Sequence, residues 1–360
     1  MRSEAVITRL EQITAEWLTG ILTRNEALTE GHIAALTLDV DARELSTSVR
    51  LRVEYTAGAA GARPEKLFLK MVNADMEVEF FGPSEVNYYV RDYVGVPDVP
   101  IPRCYDAAYS PELRRYHVLL DDLADTHFAS WNRPPTLEHG RALAEGLAAL
   151  HAHWWDAERL ASAGEPIHDA AAIRRFVSIA EPGAGHIINA CADQLQSHWP
   201  QSIYTLYAQH PARLIDRTRD ANGFTLIHGD TNLSNILIPI NGDRPLYIVD
   251  RQPFDWSLTT WLGVYDLAYT MVLKWDAELR RALEKPVLEH YHAHLLARGI
   301  RGYSWEQLWQ DYRLCAPMAV YVATEWCRGG LNRDTMDSWL PMLQRAMTAV
   351  DDLRCAELWA

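Results

Sequence analysis

The chain has 360 residues, 48% of them hydrophobic and 23% charged, with a formal net charge of -14 at pH 7. That size can bury one large or two moderate cores, and the acidic balance argues against nucleic acid as a partner. No apolar run reaches membrane-spanning length and no signal peptide shows near Glu4, Glu11 and Glu16, so the expected address is cytoplasmic, with no membrane partner.

From the N-terminus, Ile7, Leu10, Ile13, Trp17, Leu18, Ile21 and Leu22 recur at roughly helical spacing and predict a helical extension. Residues 36–40, 49–55 and 66–72 are strand-like, separated by Gly58, Gly61 and Pro64, and predict a small β lobe. The third of these, Lys66-Leu67-Phe68-Leu69-Lys70-Met71-Val72, carries Lys70 within an apolar run. Fifteen residues on, Pro83-Ser84-Glu85-Val86-Asn87 opens like a helix, with Ser84 as a candidate cap and Glu85 in its first turn. The apolar run His117-Val118-Leu119-Leu120 ends in Asp121-Asp122-Leu123. Beyond it the pattern turns helical: Leu143, Leu147, Leu150 and Trp154 share one face, and 170–220 is a further helix-rich segment. After Asp266 the chain reads as helical to its end, with breaks expected at Pro286, Gly299, Gly302 and Gly329-Gly330. Five cysteines at 104, 191, 315, 327 and 355 have neither metal spacing nor an even count, and read as reduced core residues.

The most specific stretch is Leu226-Ile227-His228-Gly229-Asp230-Thr231-Asn232-Leu233-Ser234-Asn235-Ile236-Leu237. It sets Asp230 and Asn235 five residues apart between apolar runs, the spacing of a kinase catalytic loop. Fifteen residues further, Pro245-Leu246-Tyr247-Ile248-Val249 ends in Asp250. Phosphoryl transfer asks mainly for positioning, for Mg²⁺ to neutralise charge and for a carboxylate facing the attacking hydroxyl. Asp230 would be that carboxylate, and Asn235 and Asp250 would offer the hard oxygen ligands that Mg²⁺ selects. Taken singly, each residue also fits a turn, a helix cap or a strand end. Four fixed letters at fixed offsets arise by chance in roughly one chain of this length in several hundred, which favours the combination. His228 reads as structural. A site of this kind needs a strand lysine on the α and β phosphates, paired with a helix glutamate, and Lys70 with Glu85 fits that pair. A lysine at a strand end is ordinarily solvated, so the downstream loop is what singles out Lys70.

The ordered set Leu69-Lys70, Glu85-Val86-Asn87-Tyr88-Tyr89, Leu119-Leu120-Asp121-Asp122-Leu123, Leu147-Ala148-Ala149-Leu150-His151-Ala152, His228-Gly229-Asp230 with Asn235, Val249-Asp250-Arg251-Gln252 and Tyr265-Asp266-Leu267-Ala268 resembles the aminoglycoside phosphotransferase and choline kinase superfamily. Within it the chain looks most like the ecdysteroid-kinase-like branch. The likeness covers roughly residues 10 to 275, and its central loop is its most specific piece. It implies an α+β, bilobal protein-kinase-like fold: a small β-rich lobe over 1–120 with the helical extension, and a large, mainly helical lobe over 121–360. It also implies ATP (or GTP) and Mg²⁺ as cofactors, Asp230 as catalytic base, Asn235 and Asp250 as metal ligands, and Lys70 and Glu85 on the nucleotide phosphates. Asp121 and Leu123 would belong to the hinge whose backbone meets an adenine edge, and Asp266 would be a scaffold residue.

Two departures stand out. The family usually has a Trp after the metal-binding Asp where this chain has Arg251, a cation able to meet phosphate or substrate, or to pair near Asp250. The phosphate-covering loop, expected around Ser46, Thr47 and Ser48, has no glycine; its hydroxyls and N–H groups would cradle phosphate or simply turn a hairpin. The partner implied is a small-molecule hydroxyl acceptor, an antibiotic or related secondary metabolite such as an aminoglycoside or nucleoside, bound by a monomer or homodimer. A choline-, ethanolamine- or sugar-type kinase is the alternative, and a non-catalytic nucleotide-binding protein of the same fold is the reading from a different class. Candidate acceptor contacts are His127, Trp131, Glu325 and Trp326, each with surface or packing as its plainer role. Most of the thirteen tryptophans should be core. Asp250 and Asp266 are sixteen residues apart and no Ala-Pro-Glu follows, which leaves little room for a protein kinase's activation loop.

Overall fold

The computed structural model describes residues 6–43, 45–72, 81–242 and 244–359, with backbone alone at 334 and 335. In chain order it has α1 (Ala15–Arg24), β1 (Ile33–Ala42), β2 (Ser46–Tyr55), β3 (Lys66–Val72), α2 (Ser84–Asn87), β4 (Cys104–Ser110), β5 (Arg115–Asp121) and a short β6 (His127–Ala129). Four helices follow: α3 (Leu137–His153), α4 (Ala157–Ser162), α5 (Ala170–Cys191) and α6 (Trp199–Arg217). Short strands β7 (Phe224–Leu226), β8 (Ile236–Pro239), β9 (Tyr247–Ile248) and β10 (Thr260–Leu262) flank the central loop. The remainder is α7 (Val264–Lys274), α8 (Ala277–Ala297), α9 (Trp305–Cys315), α10 (Met318–Glu325) and α11 (Arg333–Asp352).

The N-terminal region is β-rich and the C-terminal region largely helical, as the bilobal expectation requires. Two compact units result: residues 1–97, 101–128 and 239–255 form the first, and residues 98–100, 129–238 and 256–360 the second. The segment carrying Asp250 therefore belongs with the strands that precede it by more than a hundred residues. Among the described residues, no helix is long and apolar enough to cross a membrane.

The first unit is built on an antiparallel sheet ordered β1-β2-β3-β5-β4. Strand β2 shows why: Val49, Leu51 and Val53 are buried while Arg50, Arg52 and Glu54 are exposed, the period of two that puts one face in a core. Leu67 and Leu69 of β3, paired with Leu51 and Val49, extend that face, and Leu18, Ile21 and Leu22 of α1 share its core. The N-terminal extension is helical only from residue 15, because the Thr14 hydroxyl accepts the Trp17 N–H at 3.1 Å and starts a new helix there. Residues Leu10–Gln12 form a separate single turn. The hairpin before β2 turns earlier than the sequence suggested: Arg43 N–H donates to the Ser46 carbonyl at 2.9 Å. Ser46, Thr47 and Ser48 consequently lie within β2, opposite Val72, Met71 and Lys70, which corrects their assignment to the turn itself.

The second unit is a helical bundle in which α3 packs on α8 and α5 on α10. The latter approach is so close that a Cβ on Gly183 would lie 1.8 Å from the Thr324 carbonyl oxygen. Pro286 does not break the chain; it lies inside α8. A proline there removes a hydrogen bond, but Val287, Leu288, Tyr291 and Leu295 on the same helix are fully buried, and that burial outweighs the loss. The expected breaks at Gly299, Gly302 and Gly330 do occur, each glycine in a left-handed conformation.

His210 of α6 is buried between helices, with Nδ1 2.9 Å from the Tyr321 hydroxyl and Nε2 2.9 Å from the Leu314 carbonyl. Burial lowers its pKa to about 4, with the Leu314 hydrogen bond opposing. Because the folded value lies below the ordinary 6.5, this group's stability contribution is complete above that pH and is lost as pH falls towards 4. Replacing His210 by Gln should remove about one proton from the acid limb, a slope difference of roughly 1.4 kcal/mol per pH unit. Urea titrations of both proteins between pH 7 and 4.5 measure it, and parallel stability curves would contradict it.

Candidate functional site

In the second unit, the loop after β7 hangs on Asp266, in the first turn of α7. Its carboxylate is wholly buried and accepts the N–H of His228 at 2.7 Å, the N–H of Gly229 at 2.8 Å and Nε2 of His151 at 3.0 Å. Burial by itself would raise the Asp266 pKa, but the His151 hydrogen bond and charge, with His228, hold it below the usual carboxylate value. The other nitrogen of His151 is 2.8 Å from the Tyr291 hydroxyl of α8, so the imidazole has a set orientation. The Thr231 hydroxyl donates to the Asp266 carbonyl at 2.6 Å, and the Thr270 hydroxyl donates to the Thr231 carbonyl at 2.7 Å. Gly229 has φ 79°, a left-handed turn that favours glycine. A Cβ on Gly263 would stand 2.7 Å from the Tyr291 hydroxyl and 2.9 Å from His151 Nδ1, so this position also admits only glycine without a shift.

That scaffold presents Asp230 and Asn235 together. The Asn235 amide donates to the Asp230 carboxylate at 3.1 Å and to its backbone carbonyl at 3.0 Å, and its own side-chain oxygen accepts the Ser234 hydroxyl at 3.0 Å. Tyr269, one turn along α7 from Asp266, hydrogen-bonds the Asp230 carboxylate; burial, and then the charge of Asp230, raise the tyrosine pKa well above its ordinary value. The arrangement is an oriented carboxylate beside an amide oxygen, suited to accepting a proton and offering a hard metal ligand.

In the first unit, Lys70 of β3 lies between two carboxylates. Its ammonium is 2.8 Å from Glu85 and also pairs with Asp250. Glu85 is buried at the start of the α2 helix and accepts the Tyr116 hydroxyl as well. Burial raises Glu85 to about 7, with Lys70 opposing and Asp250 adding to the rise. For Lys70 burial works towards a lower pKa, but Asp250 and Glu85 together raise it, so the ammonium stays charged. Asp250 itself has φ 65°, a left-handed conformation that costs a non-glycine residue energy and that aspartate tolerates better than most. Its N–H donates to the Tyr89 hydroxyl at 3.4 Å. Asp250 here, and Asn235 in the second unit, each carry a side-chain oxygen of the hard type that Mg²⁺ selects.

Other candidate residues lie differently. Arg251 is buried and its guanidinium is 2.7 Å from the Asp92 carboxylate, itself buried; of the roles open to this cation, the structure shows an interior ion pair one residue from Asp250. Asp121 accepts the Tyr105 hydroxyl at 2.7 Å, and the Leu123 carbonyl accepts the N–H groups of Thr126 and His127 at 3.0 and 2.9 Å. His127 is buried, bonded to Thr126 and to the Pro245 carbonyl, and its pKa is lowered mainly by that burial. Trp131 is exposed. Glu325 is buried and paired with Arg328, its pKa raised to about 7 by burial, while Trp326 stacks on Trp339 with centroids 5.4 Å apart. Sequence reasoning missed Tyr89, Tyr116 and Tyr269, and also Lys274, which is four residues after Thr270 on α7. Only Tyr269 carried a signal, its helical spacing from Asp266.

A profile of the ecdysteroid kinase-like family matches residues 83–299. Among solved structures, the chain is similar to a Plasmodium vivax ethanolamine kinase, with 11% identity, a TM-score of 0.52 and coverage of 89% of this chain and 81% of that one. It is also similar to the GDP complex of wild-type aminoglycoside 2'-phosphotransferase-IIIa, with 13% identity, a TM-score of 0.51 and coverage of 94% and 99%. At such identities the likeness is one of fold: the chain has the bilobal kinase-like architecture. Among curated proteins, none is similar enough in sequence to count as a relative.

Asp266→Asn should leave one loop N–H facing an amide donor and cost roughly 3 kcal/mol of stability. Hydrogen exchange at His228 and Gly229 should accelerate with it. Unchanged exchange at both amides would show that the loop is held by other contacts.

Proposed function

Because the chain belongs to the ecdysteroid kinase-like family, within a superfamily of phosphotransferases that act on small-molecule hydroxyls, we propose that it transfers the γ-phosphoryl group of ATP (or GTP) to a hydroxyl of a small metabolite. The observation that carries this reading is the Asp266-anchored loop, which holds Asp230 and Asn235 side by side. Asp230 accepts the hydroxyl proton as the acceptor oxygen forms its bond to phosphorus and the bond to the departing nucleoside diphosphate breaks. Asn235 and Tyr269 fix the direction of that carboxylate. Lys70 neutralises phosphate charge and Glu85 orients its ammonium. Asp250 and Asn235 are the Mg²⁺ ligands in this reading, and the ion when bound neutralises phosphate charge. Retention of all five residues in ordered positions disfavours a non-catalytic nucleotide-binding role.

On the acceptor side, the second unit sets Lys274, Trp339 and Trp326 in a row. The Lys274 ammonium is 5.9 Å from the Trp339 ring centroid and 3.3 Å from the Met342 sulfur, and Trp339 stacks on Trp326. Burial lowers Lys274 to about 8, with Asp230 opposing and Arg345 adding to the fall. Indole faces bind flat or sugar-like rings, whereas the Lys274 and Arg345 charges work against a polycation. We therefore rank nucleoside-type antibiotics and hydroxylated secondary metabolites ahead of aminoglycosides as acceptors, with choline, ethanolamine and hexoses as the alternative.

Incubation with nucleotide, Mg²⁺ and a panel of these acceptors, read by the mass gain of one phosphate, tests the reading. Asp230→Asn should slow transfer by about a hundredfold or more while nucleotide affinity stays within a few-fold. Transfer at the parental rate would remove Asp230 from the role of base. Exclusive use of choline, ethanolamine or a hexose would overturn the acceptor class and leave the phosphotransferase intact.

A further inference from the structure

Glu145 of α3 and His290 and His294 of α8 meet in the second unit, on a face where all three side chains reach solvent. One potential ligand atom from each lies within 4.8 Å of the other two. Nε2 of His294 is 4.0 Å from a carboxylate oxygen of Glu145, and the two imidazole centroids are 4.4 Å apart. The histidines are four residues apart on one helix, so their rings rise from the same face. Two imidazoles and a carboxylate form a donor set for a borderline ion such as Zn²⁺, whereas Mg²⁺ selects oxygen ligands alone. We propose that Glu145, His290 and His294 bind a divalent transition metal of the zinc class, which staples α3 to α8.

The geometry is near what such an ion needs. Tetrahedral zinc with bonds of about 2.0–2.1 Å keeps its ligand atoms roughly 3.4 Å apart, so the side chains must close by about an ångström. Glu145 is 55% exposed and His294 29% exposed, which leaves their torsions free to make that adjustment without backbone movement. An open cavity of about 540 Å³ beside them, lined by Glu138, Arg141, Glu145 and His290 among others, has room for water at the remaining coordination positions. Arg141 is the competing cation on this face, and it is exposed with space to swing aside.

The position gives the staple a consequence. Tyr291, between the two histidines in sequence, is fully buried and its hydroxyl contacts His151, which in turn orients Asp266. A metal tying Glu145 to α8 would restrain the two helices that supply this pair, and so rigidify the Asp230 loop without taking part in its chemistry.

Chelator-treated protein in millimolar Mg²⁺, free of any affinity tag, should bind one Zn²⁺ per chain in a calorimetric titration and melt at a higher temperature when loaded. Co²⁺ in place of Zn²⁺ should give visible d–d absorption without the near-ultraviolet thiolate bands that a cysteine site would add. Glu145→Gln and His294→Asn should each weaken binding by roughly tenfold or more while the metal-free melting temperature stays unchanged. Absence of saturable Zn²⁺ binding, or binding that neither substitution weakens, overturns the proposal. None of these readouts depends on phosphoryl transfer.

Discussion

A buried carboxylate with every partner inside the protein is the constraint on which the second unit's chemistry depends. Taking Asp266 out of water is costly unless its oxygens are hydrogen-bonded, and the loop supplies those bonds from its own backbone at His228 and Gly229. The cost of burial thus becomes a force holding the loop in one conformation. Three helices take part: α7 carries Asp266, α3 carries His151, and α8 carries Tyr291. A Cβ on Gly263 would stand against both the Tyr291 hydroxyl and His151 Nδ1, and the absence of a side chain there is what lets the imidazole and the phenol meet. Asp230 needs no burial of its own to be well placed, because its neighbours on both sides in sequence are tied down.

The first unit solves a different electrostatic problem. One ammonium stands between two carboxylates, Glu85 inside and Asp250 more exposed. Glu85 is secured by Tyr116 as well as Lys70 and serves as the interior anchor. Asp250 holds a left-handed backbone conformation of the kind that persists where surrounding structure over-determines it, commonly at functional sites. Next to it, Arg251 turns inward to Asp92. That interior pair anchors the backbone one residue from the strained aspartate, which gives a physical role to the position where the family resemblance led one to expect tryptophan.

Amino-acid order alone determined the parts whose cause is local. Alternating burial made β2 readable as a strand, and helical spacing marked α1 and α3. The five-residue interval between Asp230 and Asn235 was legible because a short loop brings such residues together whatever surrounds it. The Lys70–Glu85 pair was legible only as chemistry, since nothing in a strand and a helix fifteen residues apart dictates that the two side chains meet; the structure sets them 2.8 Å apart. Where local rules competed with packing, packing decided. Pro286 sits inside α8 because the helix buries an apolar face on α3, and Ser46, Thr47 and Ser48 were drawn into β2 by pairing on both sides. The partners of Asp266, the inward turn of Arg251, and the meeting of Glu145 with His290 and His294 join residues tens to more than a hundred positions apart. Such contacts are set by how the whole chain excludes water from its cores, and no spacing in the sequence carries them.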